Sequence, residues 1–92
     1  MIYEPRWKKL ALDQLTLIWM AAGSDLRSRI TSACNAIDFR LQTNPEDEGE
    51  SRPADRHILF EPPLAVTFKI DHVKQRVDIL DVWLIQRRRK ST

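Results

Sequence analysis

The 92 residues, 42% of them apolar and 30% charged, are enough for one domain with one hydrophobic core and describe an ordinary globular chain, not a disordered one. No run approaches the roughly 18 to 20 apolar residues of a membrane span, and Met1 to Lys9 lacks the basic-then-apolar order of a secretory signal, so a cytoplasmic protein with no membrane partner is expected. The single cysteine, Cys34, cannot form an internal disulfide, which is compatible with a reducing compartment.

The net charge of +2 conceals an uneven distribution. Glu46, Asp47, Glu48 and Glu50 crowd one short segment, whereas Arg87, Arg88, Arg89 and Lys90 form a continuous basic run. A basic run attracts polyanions through counterion release, and it equally forms a solvated chain end. Residues 1–86 are therefore read as the single domain and 87–92 as a basic tail.

In chain order, Tyr3 to Trp7 reads as a short strand, with Pro5 placing it at a sheet edge or cutting it short because proline lacks an amide donor. From about Lys8 the chain turns helical: Leu10, Ala11, Leu15, Ile18, Trp19 and Ala22 recur at helical spacing. Leu12, Leu17 and Met20 widen that face, so cover on more than one side is expected. Gly23 is expected to end this helix in the left-handed conformation, and Ser24 to cap a second helix with Asp25 in its first turn. Leu26, Ile30, Ala33, Cys34, Ile37 and Leu41 make the cleanest helical stripe in the sequence, with Cys34 read as a small buried hydrophobe. A connection this short makes the two helices an antiparallel hairpin.

Asn44-Pro45 closes the second helix, since the residue before proline is pushed out of the helical region. Glu46 to Ser51 reads as an exposed loop. Arg56 to Phe60 reads as a strand with Arg56, Ile58 and Phe60 on one side and His57 and Leu59 on the other. After the stiff Glu61-Pro62-Pro63 turn, Leu64, Val66, Phe68 and Ile70 alternate with Ala65, Thr67, Lys69 and Asp71, and Val77 to Trp83 returns as an antiparallel partner. The fold class is α+β: a short N-terminal strand and a two-helix antiparallel hairpin packed on a small, mainly antiparallel sheet of three or four strands.

This order of elements, with Asn44-Pro45, Gly49-Glu50-Ser51-Arg52, the Arg56 to Phe60 strand, and the runs Pro63 to Asp71 and Val77 to Trp83, resembles the RelE/ParE superfamily of bacterial toxins. The resemblance covers residues 3 to 85 and implies the toxin of a type II toxin-antitoxin (plasmid stabilisation) module. It implies a cognate antitoxin as partner, and as target either the ribosome with its mRNA, cut in the A site by RelE-like members, or DNA gyrase, poisoned by ParE-like members. An active RelE-like member would be a metal-free endoribonuclease in which the RNA 2'-hydroxyl attacks the adjacent phosphorus, and no cofactor is implied. Such chemistry needs a base or polarising cation, cations around the phosphate, and a proton donor.

Carried over position by position, the resemblance puts Arg56 at the first basic site of its strand. Ile58 and Ala65 stand where further cations are expected, and Trp83-Leu84-Ile85 stands where a glycine-basic-arginine step is expected. The candidate catalytic residues are Arg56, His57 and Lys69; Arg52, Arg76, Arg87 and Arg88 are candidates for binding nucleic acid or a partner. The bland readings stand beside these: His57 as a structural histidine, His72 as a solvated turn residue, and Lys69 and Arg76 as cross-strand partners of Asp71, Asp78 or Asp81. Trp83, in place of a residue that is small in the family, would close the groove that an RNA base enters. His57, His72 and Cys34 show no zinc-ligand spacing, and two glycines cannot build a phosphate loop. The competing functions are a catalytically degenerate or orphan binding module on the same fold, and a small general RNA-binding protein.

Overall fold

The computed structural model describes residues 2–85; the basic tail, with Arg87 and Arg88, lies outside them. The elements are β1 (Glu4–Trp7), α1 (Lys9–Ala21), α2 (Ser24–Thr43), β2 (Glu50–Arg52), β3 (Arg56–Glu61), β4 (Leu64–Asp71) and β5 (Arg76–Leu84), with one 3-10 turn over Pro45–Asp47. The strands form a single sheet in the order β1-β5-β4-β3-β2. β1 runs parallel to β5 and the other neighbours pair antiparallel.

The α+β architecture is the expected one, but the sheet has five strands where three or four were expected. The addition is β2, whose Glu50 and Ser51 were assigned to a loop. All of its residues are exposed and none is apolar, so it carries no alternating signal and forms by pairing with β3 alone. Gly49 leads into it at φ +74, with the backbone of Ile58 where a β-carbon would stand, so only glycine fits.

Period-two alternation sends Leu64, Val66 and Phe68 of β4 into the core, joined by Leu59, Val77, Ile79 and Val82. α2 answers with Ile30, Ala33, Ile37 and Leu41, all buried. Cys34 sits at the margin of that stripe, partly buried. Asn44 ends α2 before Pro45, as expected.

The corner between the helices differs from expectation. Ala22 (φ −91, ψ 147) and Gly23 (φ −80, ψ 177) are both extended, so no left-handed cap forms, and Gly23 rather than Ser24 is the N-cap of α2. Arg27 on the first turn of α2 instead donates its Nε to the Trp19 carbonyl at 3.0 Å, with its guanidinium 5.4 Å from the Trp19 ring centroid. The Trp19 carbonyl also accepts from the Ala22 amide at 3.1 Å, so Arg27 is its second donor.

Nor is α1 covered on several sides. Ala11 is its only fully buried residue, Leu15 and Ile18 pack partly against the core, and Leu17 and Met20 are 69% and 70% exposed. α2 flanks α1 on one side and β5 lies beneath it, which leaves Leu10, Leu17 and Met20 in solvent among the described residues.

Four details hold the sheet in register. Phe68 pairs with Ile79 and Thr67 with Asp81, so Leu80 is an extra residue that forms a bulge in β5. β1 pairs only with Arg76 to Ile79, and α1 finishes the remaining edge: the Lys8 amide donates to the Ile79 carbonyl, and Gln14 Oε1 accepts from the Val82 amide at 2.8 Å while its Nε2 donates to Asp81 at 3.4 Å. On the far side, Arg40 of α2 bridges Glu48 (Nε, 2.9 Å) and Glu61 (Nη1, 2.8 Å) and also donates to the Phe60 carbonyl. The β4–β5 turn is closed by Asp71, whose Oδ1 accepts from the Lys74 amide at 3.0 Å; that bond holds the carboxyl below the usual carboxylate range.

Gln14→Leu should leave the Val82 amide unbonded at nearly unchanged volume. Its expected cost is about 1–3 kcal/mol, read as a lower urea midpoint at unchanged slope.

Candidate functional site

One sheet face packs on the helices; the other is open. Register assigns the open face row by row, because directly opposed residues point the same way. One row crosses all five strands: Arg52, Arg56, Lys69, Asp78 and Arg6. Toward one end lie Glu4, Arg76 and Asp71. Toward the other come Glu50, Ile58, Thr67 and Asp81, and then Phe60, Ala65 and Trp83.

The structure thus brings Arg52, Arg56 and Lys69 together in one row. Arg52 donates to Glu50 at 3.0 Å and Arg6 lies 3.9 Å from Glu4. Arg76 stands one row away, where its Nε is 3.5 Å from Asp78 Oδ1, and both atoms are buried without a hydrogen bond. Arg56 and Lys69 face each other directly and have neither ion pair nor hydrogen bond among the described residues. Like charges directly opposed in a sheet are destabilising, so folding alone gives no reason for this pair.

His57 is not part of that cluster. Alternation turns it to the helix side, where its ring stacks on Phe68 with centroids 5.1 Å apart and planes 14° apart. Arg56 and Lys69 therefore have the sheet between them and the imidazole. His72 stands in the β4–β5 turn, hydrogen-bonded to Tyr3 Oη at 3.2 Å and 3.4 Å from Glu46. The open face can hold an anion through its guanidinium and ammonium groups, but no described histidine stands beside them. Among the described residues no group of three or more histidine, cysteine or carboxylate side chains is arranged to hold a metal ion.

Sequence reasoning missed Arg6, and it did not count Phe60 and Trp83 among the site residues although it put Phe60 on Arg56's side and Trp83 at the groove. Arg6 joins the row only through the parallel β1–β5 pairing, which no local pattern announces. Phe60 and Trp83 flank Ala65 on the open face, exposed by 47% and 38% while Ala65 is fully buried. Phe60 was readable from its parity with Arg56, but the row that Trp83 joins depends on the bulge at Leu80.

The helix layer has its own concavity, a groove of about 340 Å³ between α1 and α2 lined by Leu12, Leu15, Trp19, Ile30 and Cys34 among others. Burial, and secondarily the charge of Asp38, push the Cys34 thiol up to about 11, so this cysteine is a poor nucleophile at neutral pH.

No protein-family model matches the chain, and no curated protein matches it. Solved structures do, and the fold they define is that of the RelE/ParE toxins. The toxin-antitoxin complex RelBE2 of Mycobacterium tuberculosis superposes with TM-score 0.71 at 23% identity, covering 91% of this chain and 99% of that one. The chromosomal ParDE system of P. aeruginosa gives 0.62 at 16%, over 92% and 98% of the two chains. The isolated E. coli RelE toxin gives 0.57 at 15%, over 94% and 87%. The fold expected from the sequence resemblance is therefore the fold observed. No helix among the described residues is long and apolar enough to cross a membrane.

Two outcomes test this geometry. Arg56→Gln should leave the unfolding midpoint unchanged or raise it by the equivalent of about 0.2–1 kcal/mol, because it removes a like-charge opposition; a clear loss would show that Arg56 serves the fold. Alkylation of Cys34 by iodoacetamide should run about a hundredfold slower at pH 8 than that of a cysteine at the ordinary value of 9.0, and climb about tenfold per pH unit toward 11.

Proposed function

We propose that this protein is the toxin of a type II toxin-antitoxin module, acting in the cytoplasm and neutralised by a cognate antitoxin. The observation that carries the reading is the helix layer: a RelE/ParE-like domain whose α1 leaves Leu10, Leu17 and Met20 exposed beside an apolar interhelical groove. An amphipathic helix of the antitoxin, laid across α1 and α2, would bury that strip. The solved structures of like fold include toxin-antitoxin complexes from several organisms, which supports the same reading.

Of the two targets known for the family, the translating ribosome and DNA gyrase, the open sheet face favours action by binding over RNA cleavage. By the sequence resemblance, Ile58, Ala65, Leu84 and Ile85 stand where RelE-like enzymes carry cations, and His57 faces away from the open face. The same replacements favour a second reading, a catalytically degenerate or orphan module on this fold.

Induced expression in a bacterial host should arrest growth, and co-expression of the short open reading frame beside this gene should restore it. Purified ribosomes should show no A-site cleavage of mRNA on addition of the protein; clean cleavage would restore the endoribonuclease reading. The Leu17→Asp, Met20→Asp double variant should still arrest growth but weaken antitoxin binding at least tenfold. Growth that continues unchanged under wild-type expression would remove the toxin reading and leave the binding module.

A further inference from the structure

We infer that the open face of the sheet is a docking surface for an acidic segment of another protein, and not a track for a polynucleotide. The inference goes beyond the toxin reading and does not need it, since a binding module on this fold would use the same face.

Charge is the first reason. Among the described residues, the cations and the carboxylates that register assigns to the open face are equal in number, so this part of the face is formally neutral. A nucleic-acid backbone gains affinity by exchanging counterions for a net positive surface, and this face offers it as many repulsions as attractions. The carboxylates are moreover interposed: Glu50 and Asp81 occupy the row between the cations and the aromatics. A strand that stacked a base at Phe60 or Trp83 would have to run its phosphates past both.

The second reason is where uncompensated charge remains. Among the described residues Arg56 and Lys69 oppose each other on strands about 5 Å apart with no ion pair to either, and Asp78, opposite Lys69 on its other side, stands 3.5 Å from Arg76 instead. One or two carboxylates placed between them would remove the repulsion and engage the guanidinium fork of Arg56. An acidic side chain reaches such an isolated spot, whereas a continuous phosphate chain also needs favourable ground on either side of it.

The aromatics supply the rest. Phe60 and Trp83 project from β3 and β5 with the buried Ala65 between them, four residues along the strands from Arg56 and about 13 Å away. Trp and Arg are the side chains that most often dominate protein–protein contacts. The occupant is thus a protein segment that seats an apolar side chain against Phe60 and Trp83 and presents two or more carboxylates about 13 Å away to Arg56 and Lys69.

The test uses the full chain and a display library of random sixteen-residue peptides. Enriched peptides should share an apolar residue and at least two acids. A synthetic representative should bind at least tenfold more weakly to the Arg56→Glu, Lys69→Glu double variant, to Trp83→Ala and to Phe60→Ala, each checked for an intact unfolding transition. Affinity for a fifteen-nucleotide single-stranded RNA at about 150 mM salt should be unaffected by the same substitutions. The inference is overturned if no enriched peptide depends on these residues, if the substitutions abolish RNA binding, or if the protein sediments as a dimer that the double charge reversal dissociates.

Discussion

The structure depends on keeping the two-residue alternation in phase along β5. Val77, Ile79 and Val82 must all reach the core, yet Ile79 and Val82 are separated by an odd number of positions. The bulge at Leu80 absorbs the extra residue, and Asp81 stays opposite Thr67 on the open face. Without it, either Val82 would turn to solvent or Asp81 would enter an apolar interior, where an unpaired carboxylate costs several kcal/mol. The same phase decides which rows the outer side chains join, so core and site are settled by one irregularity.

Much of this was legible in the chain. The alternation from Leu64 to Ile70 and the spacing of Ile30, Ala33, Ile37 and Leu41 announce a face that must be buried, and both faces are. β2 was not legible because a strand fully exposed on both faces needs no apolar residue; only its pairing with β3 defines it. α1 misled in the opposite direction. Apolar residues around a helix indicate that cover is wanted, and not that the same chain provides it, so Leu17 and Met20 read as core and stand in solvent.

The site divides along similar lines. Arg56 and Lys69 share a face through parity within their own strands, and adjacency to Arg56 is what sends His57 to the other side. Their direct opposition, and the arrival of Arg52 and Arg6 in the same row, come from register, which turn geometry and distant pairing fix. A cationic face in the sequence is a count of residues; in the fold it becomes a narrow band, balanced by acids on both sides.

The way the sheet is finished has a bearing on what the molecule can become. Backbone groups left over at both flanks are met by side chains from the helices, the amide of Gln14 at one and the guanidinium of Arg40 at the other. Amyloid and domain-swapped assemblies grow by templating one ladder on the next, and here the Val82 amide and the Phe60 carbonyl are withheld from such templating. The exposed aliphatic strip of Leu10, Leu17 and Met20 lies instead on a helix, whose backbone groups bond within the helix and offer no ladder to extend.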